Sequence, residues 1–158
     1  MGDALWDALE RVPRSGGVIF RHYSLDVRAR RVLFQRVSRV ARQRRLMLIA
    51  AGADHLGRHV GGRHGRVLTC APGIKSWPAH NLREVIAARR ARADMILISP
   101  VFPTRSHPGK SSLGLARATC LARQTAIPAI ALGGVDQRKF RRLKYLGFHG
   151  WAAIDAWL

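Results

Sequence analysis

The stretch SPVFPTRSHPG, Ser99 to Gly109, follows the apolar run Met95-Ile96-Leu97-Ile98 and presents Thr104, Arg105, Ser106 and His107 in succession. Hydroxyls donate single hydrogen bonds and a planar guanidinium donates two in parallel, so this set suits the gripping of an oxyanion. Gly133-Gly134, after the apolar run IPAIAL, is a second anion-friendly element. Two residues without Cβ let a bare backbone approach an oxyanion closely. Further polar groups follow other apolar runs: Arg21-His22-Tyr23 after GGVIF, the pair His64-Gly65, and Ser76 to His80 in SWPAH. Taken singly, a glycine pair is an ordinary turn and a strand-end histidine is ordinarily structural. Their recurrence after successive apolar runs is what gives them weight.

Those runs must be positioned by something, and the pattern around them alternates. GGVIF, LMLIAA, a short piece near Gly62 to Gly65, GIKSWPAH, DMILIS, IPAIALGG and GWAAI read as seven strands. Between them lie helical patterns. Leu5, Trp6, Leu9 and Val12 have helical spacing, and Leu33, Phe34, Val37, Val40 and Ala41 form one stripe backed by arginines. NLREVIAARRARA turns Leu82, Val85 and Ile86 inward, and LGLARATCLARQT turns Leu115, Cys120 and Leu121 inward. DQRKFRRLKYLG starts on Asp136 as N-cap, buries Phe140 and Leu143, and stops at Gly147. DAWL begins a last helix. Continuously apolar strands alternating with helices indicate a parallel sheet covered by helices, either doubly wound or a (β/α) barrel. In both, ligands sit at the carboxyl ends of the strands.

At 158 residues and 47% hydrophobic content the chain suffices for one domain with a sizeable core. No apolar run is long enough to span a bilayer, and the start lacks a secretory pattern, so a cytoplasmic protein is expected. Cys70 and Cys120 fit no metal spacing and read as buried free thiols. Lys plus Arg is 28 against 9 acids, a formal net charge of +19. Such a balance favours phosphate ligands or polyanions. The basic residues are spread over many faces rather than gathered in a tail, so nucleic acid is not an expected partner.

The succession ADMILISPVFPTRSHPG, IPAIALGGV and GWAAIDAW resembles the thiamine phosphate synthase and thiazole tautomerase superfamily. The resemblance is close from about Pro78 onward and looser back to Arg21. It implies a (β/α)8 TIM barrel, here shortened and apparently lacking its first strand. It also implies one of two activities: joining a pyrimidine diphosphate to a thiazole phosphate with Mg²⁺, or isomerising a thiazole phosphate carboxylate. By resemblance, Thr104 and Ser106 occupy the hydroxyl positions near the thiazole phosphate, and His107 stands where synthases carry a Lys. Gly133 and Gly134 match the phosphate-binding pair, Arg21 the arginine that grips the diphosphate, and His64 the histidine of the family's HxG. His80 matches the histidine that resembles a general acid/base in the tautomerases.

The departures concern the diphosphate half. Ile19 and Tyr23 stand where synthases carry Gln and Lys, and Ala51-Gly52 replaces an Asn-Asp pair, with Asp54 further on. RVLTCAPG lacks the second Mg²⁺ carboxylate, and Asp155 stands where a small hydroxyl residue is usual. Mg²⁺ wants carboxylate oxygens. The expectation is therefore a single-domain thiazole phosphate binder with His80 as catalytic residue, tautomerase-like rather than synthase-like. Arg21, His64, Ser76, Thr104, Arg105, Ser106, His107, Gly133 and Gly134 bind substrate in that reading. No metal ligands are assigned, and Mg²⁺ enters only with synthase chemistry. The alternatives are an active synthase, a non-catalytic thiazole phosphate-binding protein, and a polyanion binder suggested by charge alone. An open seam at the missing strand could be covered by a second copy of the chain.

Overall fold

The computed structural model describes residues 3–53, 55–56, 60–66, 72–104 and 111–154. The chain divides into two compact units that meet at Lys75–Ser76.

The first unit runs α1 (Asp3–Arg11), β1 (Gly17–Phe20), α2 (Val27–Arg44), β2 (Met47–Ala51), β3 (Gly62–His64) and the start of β4 (Ile74–Ala79). β1 pairs in parallel with β2, and β2 with β3. α2 starts because Asp26 Oδ1 accepts the N–H groups of Arg28 and Ala29 at 2.8 and 2.9 Å. It ends on Arg45 in the left-handed region, at φ 57°. Phe20, Leu48 and Ala50 face the helices and pack with Leu9, Val12, Phe34, Val37 and Ala41. This is the stripe the helical spacing predicts. The short β3 survives through close backbone approach: a Cβ at Gly62 would lie 2.3 Å from the Ile74 carbonyl oxygen.

The second unit continues β4 and adds α3 (Leu82–Arg90), β5 (Met95–Ile98), α4 (Gly114–Arg123), β6 (Ala129–Leu132), α5 (Gln137–Leu143) and β7 (Gly150–Ala152). β4, β5, β6 and β7 pair in parallel in that order. Trp77, Ala79, Ile96, Ile98, Ala129 and Ala131 alternate onto one face and pack with Val85, Ala88, Ala118, Leu121, Ala122 and Leu143. Asp136 Oδ1 accepts the Lys139 N–H at 2.7 Å and caps α5, as expected.

Two inward assignments fail. Leu82 is 42% exposed because the inward stripe of α3 is Val85 and Ala88, while Leu82 sits on the first turn. Cys120 is exposed because Ala118, Leu121 and Ala122 form the buried stripe of α4, and Cys120 lies two residues, about 200° of helix, past Ala118. Ser76 is a third correction. It lies within β4, paired with Met95 and fully buried, rather than in a loop after the strand. Cys70, the stretch 105–107 and the expected last helix fall outside the described residues. Among the described residues no helix is long and apolar enough to cross a membrane.

Candidate functional site

In the second unit the ends of β4, β5 and β6 are tied together. His80 follows β4 directly, and its Nδ1 lies 2.6 Å from the Ser99 carbonyl oxygen just past β5. A carbonyl only accepts, so Nδ1 is the donor in this bond, and in the neutral ring Nε2 is the nitrogen that has the lone pair. The backbone of His80 is held as well. Its N–H donates to Glu84 Oε2 at 2.6 Å, and the Glu84 N–H donates to Asn81 Oδ1 at 3.0 Å, so the cap of α3 also holds the residue before it. His80 itself is exposed.

Gly133 and Gly134 follow β6, both left-handed, at φ 93° and 61°. The Gly133 carbonyl accepts the Phe102 N–H at 3.0 Å, and the Leu132 carbonyl accepts that of Val101 at 2.9 Å. A Cβ on Gly133 would lie 2.7 Å from Pro100 Cβ, and one on Gly134 would lie 2.4 Å from the Pro103 carbonyl oxygen. The pair is thus glycine twice over, for its dihedrals and for the segment 100–103 pressed on it. Lys139 Nζ donates to the Gly134 carbonyl at 2.6 Å and lies 5.3 Å from the Phe102 ring centroid. Thr104 is half-buried at the end of this segment. Arg105, Ser106 and His107 lie outside the described residues. His80 and Gly133 fall at the same end of the parallel strands, as the strand-end reading requires.

In the first unit Arg21, His22 and Tyr23 follow β1, and His64 is the last residue of β3. Burial, then the Arg21 charge, push the His64 pKa down to about 4. Burial, then the Arg30 charge, lower that of His22. Arg30 comes from α2. Its Nη1 donates to the Gly52 carbonyl at 2.7 Å and its Nη2 to that of Ala51, so the guanidinium closes the carboxyl end of β2. Its Cζ lies 5.5 Å from the Phe20 ring centroid and 5.6 Å from that of Tyr23. The Arg21 guanidinium also faces Tyr23, at 6.0 Å.

Arg30, Ser99 and Lys139 were not singled out by sequence. Arg30 meets its carbonyl partners across 21 and 22 residues, and His80 meets Ser99 across 19, separations no local pattern reports. Lys139 carried a local signal, its place three residues after the capping Asp136.

The described donors do not fit the Mg²⁺ that the resemblance implies. Among the described residues no group of three His, Cys, Asp or Glu side chains could hold a metal ion. Asp26 and Asp136 cap helices, and the β2 carbonyls already face a guanidinium.

A family model described as thiamine monophosphate synthase matches residues 3–157. The thiamine-phosphate synthase of Chloroflexus aurantiacus is 32% identical over 79 residues, which is 49% of this chain and 37% of that protein. That of Methanobrevibacter smithii is 27% identical over 113 residues, 68% of this chain and 54% of that protein. The chain thus spans about half or less of the length of these curated relatives. The thiamine phosphate pyrophosphorylase of Pyrococcus furiosus superposes with a TM-score of 0.74 at 18% identity, covering 96% of this chain and 77% of that one. At that identity the likeness shows the α/β fold alone. These relatives carry synthase names and lend no support to the expected tautomerase-like chemistry. With a family match over almost its whole length, the chain belongs to the thiamine monophosphate synthase family.

Proposed function

We propose that this chain binds a thiazole phosphate at the carboxyl edge of β4–β6 and acts as a thiamine phosphate synthase-type transferase, joining it to a pyrimidine diphosphate. The observation that carries the reading is the left-handed pair Gly133-Gly134. Successive backbone N–H groups in such a turn suit an oxyanion. Thr104 stands beside them in this reading, with Ser106, Arg105 and His107 as further donors. The seven strands belong, on the same reading, to a (β/α)8-type barrel plan. Arg21 and His64, on the first unit, are further anion-binding candidates in this reading, while buried Ser76 supports β4 from within. In the reaction the bond between the pyrimidine carbon and the diphosphate oxygen breaks, the oxygen keeps the electron pair, and the thiazole nitrogen forms the new bond.

The test is to incubate the protein with both substrates and follow thiamine phosphate. Product above the uncatalysed rate is expected. Binding of thiazole phosphate without product would overturn the transferase reading in favour of a binding protein.

One observation favours a second reading. A histidine whose Nδ1–H is held on a carbonyl turns Nε2, in its neutral form, outward as a base. Isomerisation of the thiazole phosphate carboxylate would need only that proton transfer and no metal. On this reading His80→Asn slows isomerisation by about two orders of magnitude. An unchanged rate would remove His80 from the chemistry.

A further inference from the structure

We infer that the carboxyl edge of β1–β2, around Tyr23, is a metal-free oxyanion site in which Arg21 and Arg30 supply the charge for binding a diphosphate group. Its link to catalysis rests on the transferase reading, but the binding itself does not.

Three observations meet here. The first is charge. Both guanidiniums pack on one aromatic ring, Tyr23, with Arg30 also on Phe20. The segments that form the edge, Ile19 to Ser24 and Ala51 to Ala53, contain no acid. The described acids of this unit are Asp3, Asp7 and Glu10 on α1 and Asp26, whose carboxylate is engaged in capping α2; Asp54 lies outside the described residues.

The second is the carbonyls. A divalent cation at the end of β2 would look to the Ala51 and Gly52 oxygens, and Arg30 already donates to both. A cation placed there meets a fixed positive charge within hydrogen-bonding reach, and Coulomb repulsion at that range is large. The same charge attracts an oxyanion. A guanidinium held by stacking and two carbonyls also loses little side-chain freedom when the anion arrives.

The third is unmet polar groups. Among the described residues, the donor Arg30 Nε and the ring nitrogen His22 Nδ1 are buried with no hydrogen-bond partner. Burial first, and then the charges of Arg21 and Arg30, hold down the proton affinities of His64 and His22 respectively, so part of the positive potential reaches the neighbouring groups. Family synthases neutralise the leaving diphosphate with Mg²⁺ and carboxylates. Here the fold places guanidiniums on that edge, and a fixed cation can stabilise a departing anion as a metal does.

The experiment uses the full chain and inorganic pyrophosphate, by calorimetric titration in EDTA and again with Mg²⁺ in excess of ligand. Saturable binding is expected in EDTA, and Mg²⁺ should weaken it, because chelation removes negative charge from the ligand. Arg21→Ala, at an exposed position, should weaken binding about tenfold or more, and Arg30→Gln should do the same. Arg90→Ala, an equal loss of charge on the last turn of α3, should change affinity by less than about twofold. Binding that appears only with Mg²⁺ would overturn the inference. So would equal losses in Arg90→Ala and Arg21→Ala, which would reduce the effect to net charge. These readouts involve no turnover, so a protein that binds pyrophosphate this way yet forms no thiamine phosphate would sink the transferase reading alone.

Discussion

At the end of β2 the carbonyls of Ala51 and Gly52 are met by a guanidinium, whereas at the end of β6 those of Gly133 and Gly134 are met by a backbone N–H and an ammonium. The first edge is built from long charged side chains stacked on rings. The second is built from backbone: two left-handed glycines under the segment 100–103, with His80 locked to Ser99 beside them. The difference predicts different sensitivities. Removing the exposed charge of Arg21 from the first edge should change ligand affinity more than folding. Adding a side chain to the second should change folding itself.

The largest effect is expected at Gly134. A Val there needs a Cβ 2.4 Å from the Pro103 carbonyl oxygen and a φ of +61°, which a β-branched residue rarely adopts. Overpacking and backbone strain together should cost about 3 kcal/mol or more. Thermal unfolding should drop accordingly, and thiazole phosphate affinity should fall with it. A normally stable variant that merely lost affinity would mean that the glycine is kept for the ligand rather than for the loop.

Next comes His64, and here the sign matters. The ordinary histidine pKa is 6.5, and in the folded chain it is about 4. Between those values the unfolded chain binds the extra proton and the folded one does not, so stability rises with pH from about 4 to 6.5 and is flat above. The full shift corresponds to at most about 3 kcal/mol, less whatever water screens at a partly exposed ring. Urea unfolding across that range should show the slope, and His64→Gln should flatten it. The lowered pKa of His22 leaves a smaller slope of the same sign. An unchanged slope in His64→Gln would show that a group other than His64 sets the pH dependence.

Arg30→Ala should cost about 2 kcal/mol, the usual worth of hydrogen bonds from a charged donor to partly buried carbonyls. Equilibrium unfolding checks it. A loss no larger than that of Arg90→Ala would show that the β2 carbonyls are satisfied by water once the guanidinium is gone.

Much of this molecule was legible in its sequence, for reasons that also mark where legibility stops. The seven strands are short apolar runs bounded by breaks, and the cap at Asp136 acts within three residues. Such signals are local. Leu82 and Cys120 failed because each lies beside the apolar stripe rather than on it, and pattern alone counts both as apolar. Ser76 failed because a polar residue inside a strand looks like its end. The electrostatic design of the first edge was the least legible. It depends on an arginine midway through a helix rich in arginines, and only tertiary structure distinguishes Arg30 from its neighbours.

The smallest expected effect is at Asn81, and it sharpens the comparison from the second edge. Asn81 Oδ1 accepts one N–H, that of Glu84, whose side chain in turn holds the His80 N–H. Replacing an N-cap with Ala typically costs about 1 kcal/mol. Asn81→Ala should therefore unfold slightly earlier in denaturant. It should also loosen His80, since the carboxylate that anchors its backbone loses its own anchor. Asn81→Asp keeps an acceptor at the same place and should restore both. If Asn81→Ala loses stability but leaves every His80-dependent rate intact, the Nδ1 bond to Ser99 alone positions the ring. If Asn81→Asp fails to rescue, the contribution is not capping. Either result separates a side chain held by its own hydrogen bond from one held by the helix that follows it.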